Sequence, residues 1–138
     1  TLNGIAQGWA ADRIAALLRA EGFADALINM GEVQALGLRA DGQFWQASIQ
    51  SPEGAELARA SLTNRALATS SPRGTIIGAG QAHILGPGGQ VPVWETVSVS
   101  AGRAAVADAL STAFCLMPLP AIDRALQAFP DARLEAAV

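Results

Sequence analysis

The chain has no lysine, one cysteine and one histidine among 138 residues, and each scarcity removes a class of function. All nine cationic side chains are arginines, scattered singly along a chain of net charge −3. No polybasic stretch can gather from sequence neighbours, so neither a nucleic-acid backbone nor an anionic membrane surface has a footprint here. Cys115 has no intramolecular disulfide partner, and its place in an apolar stretch reads as a small buried hydrophobe. No apolar run reaches the roughly 18 residues of a bilayer span, and no basic-then-apolar leader opens the sequence. Internal repeats and low-complexity tracts are missing too.

What is present is a core. A hydrophobic fraction of 51% against 15% charged residues belongs to a compact chain, and the length suits a single domain over 1–138. Trp9, Ile14, Leu17 and Leu18 keep a helical period that Gly22 ends. Residues 26–30 and 33–38 read as strands, with Asp41-Gly42 turning the second into a hairpin that returns through 44–49. Residues 57–70 read as a strand pair turning at Thr63-Asn64, and a short helix over 53–60 is the competing reading. An apolar piece, 81–85, precedes a turn over 86–92 that three Gly and two Pro impose. Residues 94–100 alternate as a strand, Ser100 is the expected N-cap of a helix over 103–117, and a short helix (121–128) and a closing strand (133–138) follow. Helices and strands interleave in an α+β arrangement with a mixed or antiparallel sheet and packed helices.

The helix over 103–117 carries the chemistry. Asp108 and Thr112, four residues apart, share one side of it, beside an apolar stripe of Val106, Leu110, Phe114 and Met117. An acid so near a core-facing stripe needs a partner, and two oxygen donors at this spacing suit a hard cation such as magnesium or calcium. The alternative is structural: Asp108 solvated at the helix edge and Thr112 bonded back to the carbonyl one turn earlier. His83 stands between a satisfied structural residue and a site residue. Trp9, Trp45 and Trp94 are core residues or stacking platforms for an aromatic ligand, and Glu32 reads as a solvated or turn-end acid.

Three segments, in order, resemble the C-terminal half of the ApbE family, flavin transferases that move FMN from FAD onto a threonine of a target protein. They are Leu2-Asn-Gly-Ile-Ala-Gln-Gly-Trp-Ala-Ala-Asp12, His83-Ile-Leu-Gly-Pro87, and Val97-Ser-Val-Ser with Ala107-Asp-Ala-Leu-Ser-Thr-Ala113. Between them lie Ala26-Leu-Ile-Asn-Met-Gly-Glu-Val-Gln-Ala-Leu-Gly37 and Ala68-Thr-Ser70. The resemblance implies a T-fold-like C-terminal half and a magnesium site on Asp108, Thr112 and the backbone carbonyl of Ala6. It further implies FAD contacts at Gly4, Ala6, Gly8, Thr69, Ser70 and His83, with His83 the catalytic candidate. Gly4 and Gly8 would let backbone approach the ligand. FAD and an acceptor protein are the implied partners, with a homodimer mate or an N-terminal segment to complete the pocket, since Thr1-Leu-Asn-Gly begins inside a motif. Family members are commonly exported or lipid-anchored, which implies a periplasmic or membrane-associated protein. The chain departs from the family pattern where Gln7 replaces a lysine and where Gly86, Gly88 and Gly89 replace polar loop residues. A flavin-binding or interaction module without catalysis is therefore the alternative to a transferase.

Overall fold

A computed structural model describes residues 2–78 and 80–138, leaving Thr1 and Ala79 outside. In chain order the elements are α1 (Ala6–Ala20), β1 (Ala26–Asn29), β2 (Val33–Leu36), β3 (Trp45–Gln50), β4 (Glu56–Leu62), β5 (Ala66–Ser70), β6 (Ile76–Ile77), β7 (Gln81–Ala82), β8 (Val97–Ala101), α2 (Ala104–Phe114), α3 (Leu119–Leu126) and β9 (Arg133–Ala137). Five strands form one sheet in the order β1-β2-β5-β8-β9, and every pairing in it is antiparallel.

Small residues decide which face of this sheet meets what. Ala66, Ala68, Val97, Val99 and Ala101 pack on one side against Ala104, Ala107, Leu110 and Phe114 of α2 and Ile122 of α3. On the other side Leu67 and Ala35 meet Ile49, Ala60 and Leu62 of the β3–β4 ribbon. β8 is buried along its whole length, as a strand covered on both faces must be. Ala15, Ile28 and Leu36 seat α1 beside this core. Cys115 is fully buried, as its apolar setting predicts, and burial pushes its thiol pKa up to about 12, which keeps it inert.

The α+β class holds, and most element positions hold with it. Gly22, at φ +89°, closes α1: its N–H reaches the Arg19 carbonyl and the Phe23 N–H reaches that of Leu18, the paired bonds of a left-handed helix stop. Residues 56–62 are strand, so the competing helix over 53–60 does not form. Pairing partners were less legible. The strand after Asp41-Gly42 does not return along β2; it pairs with β4, while β2 lies between β1 and β5. Likewise β4 and β5, on either side of Thr63-Asn64, enter different sheets. A hairpin signal fixes a turn, whereas burial of both sheet faces fixes the mate.

Ser100 is not a helix cap. It lies in β8, where its hydroxyl bonds Arg65 and Glu135. The N-cap residues of the two long helices, Ile5 and Arg103, offer no side-chain cap either. Each helix is capped by an aspartate of the other instead. Asp12 of α1 accepts the Ala104 and Ala105 N–H groups at 2.8 and 3.1 Å, and Asp108 of α2 accepts the Gly8 N–H at 2.9 Å. Both carboxylates sit at the positive end of a helix dipole, a favourable place for a negative charge. The close crossing this requires depends on Gly8, where a Cβ would stand 2.4 Å from the Ala104 carbonyl oxygen.

Candidate functional site

Where α1, α2 and the ends of β2 and β5 meet, the surface opens into a cleft of about 960 Å³. Its polar lining comes from five stretches of the chain: Asn3 and Gln7, Glu32, Thr69 to Ser71, Thr75 with His83, and Asp108 with Thr112. The site is assembled by the sheet and the helix crossing rather than by one loop.

Asp108 is 4% exposed, so it is no solvated edge residue. Burial raises its pKa, and the Gly8 N–H holds the rise back. Thr112 does not bond back along its helix. Ser111 takes the Asp108 carbonyl at 3.0 Å, and the Thr112 hydroxyl meets Ser70 Oγ at 3.2 Å. Ser70 Oγ also meets Ser111 Oγ at 2.9 Å, which joins three hydroxyls beside the acid.

Glu32 stands at the end of a turn, as expected, but it is not solvated. It is 7% exposed, lines the cleft, and its Oε2 has no hydrogen-bond partner among the described residues. Burial first, and the Asp108 charge second, push its pKa up to about 7, against a smaller opposing pull from the Thr69 N–H. A turn-end glutamate looks solvated in sequence; only the fold reveals that its turn is joined to α1. Gln7 Nε2 reaches the Met30 carbonyl, and Gly31, at φ +99°, makes room for that amide.

An acid with a raised folded pKa favours folding while protonated, so this contribution is full below its ordinary value of 4.5 and is lost as pH rises through about 7. The displacement corresponds to about 3 kcal/mol, and Asp108 moves in the same direction. The expected result is a melting temperature in EDTA that falls from about pH 5 to about pH 8, and a flatter profile for Glu32→Gln. Equal slopes for the two proteins would show that this carboxylate is not the source.

The donors fit a hard divalent cation. Two carboxylates and several hydroxyls face one cleft, one buried carboxylate oxygen has no partner, and no arginine lines the site. Among the described residues no group of three or more His, Cys, Asp or Glu side chains gathers, which points away from a closed protein cage. Magnesium ordinarily takes one or two carboxylates and leaves its other positions to phosphates and water.

The remaining predicted residues divide. Gly4, Thr69, Ser70 and His83 line the cleft with Asp108 and Thr112. Ala6 opens α1 and is exposed; its neighbours Ile5 and Gln7 are among the lining residues and Ala6 is not. Gly8 is buried against α2, so its missing side chain serves helix contact rather than approach to a ligand. None of the three tryptophans lines the cleft. Trp45 and Trp94 donate their indole N–H groups to the Leu36 and Met117 carbonyls as core residues do, and Trp9 lies exposed on α1.

Fold and cleft together define an α+β protein whose site is built from hard oxygen donors. The ApbE family model matches residues 1–137, and the chain belongs to the ApbE family. Among solved structures it resembles the ApbE protein of Thermotoga maritima, at 27% identity and a TM-score of 0.81 over 99% of this chain and 50% of that one. It also resembles the apo flavinyl transferase ApbE of Pseudomonas stutzeri, at 29% identity and a TM-score of 0.71 over 92% and 42%. The flavin transferase ApbE of Vibrio cholerae gives 25% identity and 0.76 over 99% and 49%. The chain thus spans half the length of these relatives or less. A comparison with curated proteins returned no match.

Proposed function

We propose that this chain belongs to a magnesium-dependent flavin transferase that moves FMN from FAD to a threonine hydroxyl of a target protein. The supporting observation is one of charge. The cleft holds two carboxylates and no arginine among its described lining residues, so an anionic pyrophosphate enters favourably only with a divalent cation. Asp108, Thr112 and the Ala6 carbonyl would hold the magnesium, with Glu32 facing it. Bound there, the cation neutralises phosphate charge and stabilises the oxyanion that develops as the pyrophosphate bond breaks.

His83 has a defined part in this reading. Its Nδ1 lies 3.2 Å from the Thr75 carbonyl, which can only accept, so Nδ1 carries the proton and Nε2 is free to take one. As the acceptor threonine oxygen bonds the FMN phosphorus, the hydroxyl proton passes to Nε2. The bond to the bridging oxygen breaks, and AMP leaves with that oxygen. Asn3 and Ser71, which line the cleft, would hold the phosphates. The reading puts the protein in the periplasm or at the outer face of the cytoplasmic membrane, with a second chain or a further segment completing the FAD surface.

The test is incubation with FAD, magnesium and a protein carrying the acceptor threonine, followed by mass spectrometry. One FMN on that threonine and free AMP are expected. Bound FAD without any adduct would favour the second reading, a flavin-binding module. One observation speaks for that reading: Gln7, where the family has lysine, brings no cation to the cleft and is engaged with the Met30 carbonyl.

A further inference from the structure

We propose that Glu32 is itself a cation ligand: with Asp108 and Thr112 it forms a seat that holds a divalent cation before any nucleotide enters the cleft. The inference rests on the magnesium reading above and extends it to a residue outside that ligand set.

Glu32 has an unmet need. A carboxylate with one oxygen deprived of both water and donors is costly to retain, and native proteins satisfy such atoms almost without exception. Glu32 Oε2 is deprived in this way, in a residue more than nine-tenths buried that nevertheless lines the open cleft. The Ser70, Ser111 and Thr112 hydroxyls bond one another, and the Gly8 N–H belongs to Asp108, so these four donors are spent elsewhere. No arginine reaches in among the described lining residues. A cation arriving from solvent is therefore the partner the site lacks, and it would meet two carboxylates that otherwise repel each other.

The turn that carries Glu32 is also held in place. The Met30 N–H bonds the Glu32 carbonyl at 3.0 Å, Asn29 Oδ1 accepts the Gly31 N–H at 3.2 Å, and Gln7 bonds the Met30 carbonyl from α1. Such a turn fixes the backbone that carries the carboxylate, which lowers the ordering cost of binding a cation in the free protein. Gln7 thereby acts as a positioning residue for the seat.

The experiment is a titration with Mn²⁺ alone, FAD absent, read by the electron paramagnetic resonance signal of the free ion. Wild type, Glu32→Gln, Asp108→Asn and the surface control Asp123→Asn are compared, with melting curves in EDTA to confirm that each is folded. The expected result is a single ion per wild-type chain, affinity weakened at least about tenfold in both Glu32→Gln and Asp108→Asn, and no change in the control. Wild-type affinity in Glu32→Gln with weakened Asp108→Asn overturns the Glu32 assignment and leaves the magnesium reading standing. Uptake of Mn²⁺ by wild type only when FAD is added does the same. Wild-type affinity in Asp108→Asn overturns the magnesium reading itself.

Discussion

In Asp108→Asn, FAD binding in saturating magnesium is expected to fall to the level expected of wild type in EDTA, while the fold stays intact. The asparagine keeps the shape of the side chain, and its amide oxygen can still accept the Gly8 N–H that Asp108 accepts at 2.9 Å. What it removes is the negative charge at the base of the cleft. Losing one partner of a close buried charge pair costs roughly 2–5 kcal/mol, on the order of 100-fold in affinity. Asp108→Ala confuses the two roles, because it also leaves the Gly8 N–H buried and unpaired at a cost of about 1–3 kcal/mol. Flavin fluorescence titrated with and without EDTA, beside melting curves of both variants, separates them. Binding that is indifferent both to chelation and to Asp108→Asn removes the metal from the mechanism.

Gly8→Ala is expected to be strongly destabilising although it lies in a helix. In an ordinary helix interior the exchange stabilises by about 1 kcal/mol, since alanine is the better helix former. Here the new Cβ would lie 2.4 and 2.6 Å from the Ala104 carbonyl oxygen and carbon and 2.8 Å from the Ala105 Cα, all backbone of α2. Backbone cannot turn aside as a side chain can, so the helices must separate, and the aspartate caps that bridge them lengthen together. Overpacking of about 1–3 kcal/mol and a weakened pair of caps at about 1 kcal/mol each outweigh the propensity gain. The melting temperature should fall by roughly 10 °C. Gly4→Ala is the useful contrast. Its Cβ would meet only the Thr112 side chain, at 3.0 Å, so it should leave the fold stable and disturb the cleft. A Gly8→Ala protein as stable as wild type would show that the crossing is looser than drawn.

The contrast between these two glycines marks what the sequence could and could not tell. The pair Asp108 and Thr112 was legible because one helical period relates them. So were the Gly22 stop and the strand positions, whose signals lie within a few residues of one another. Glu32 was not legible, because its surroundings, Thr69 and Asp108 among them, lie far away in the chain, and no local pattern marks an acid as buried when the covering residues lie elsewhere. Gly8 misled for the same reason: a glycine beside a ligand motif looks the same whether its bare face meets a phosphate or a helix. The partner of β3 was hidden because hairpin geometry is local, whereas the choice between two sheets depends on how the core closes.

The exchange of aspartates between α1 and α2 also governs when the cleft can exist. The bonds that close it join residues 92, 93 and 100 positions apart, and bringing such distant segments together costs about 4 kcal/mol of chain entropy. Neither helix gains its aspartate cap until that loop has closed, so a growing chain that has made α1 but not α2 has the Gly8 N–H uncapped and no pocket. The acid at the base of the cleft reaches its place in the same event that stabilises both helices. The caps of the two helices and the acid of the cleft are thus set by the same long-range contact.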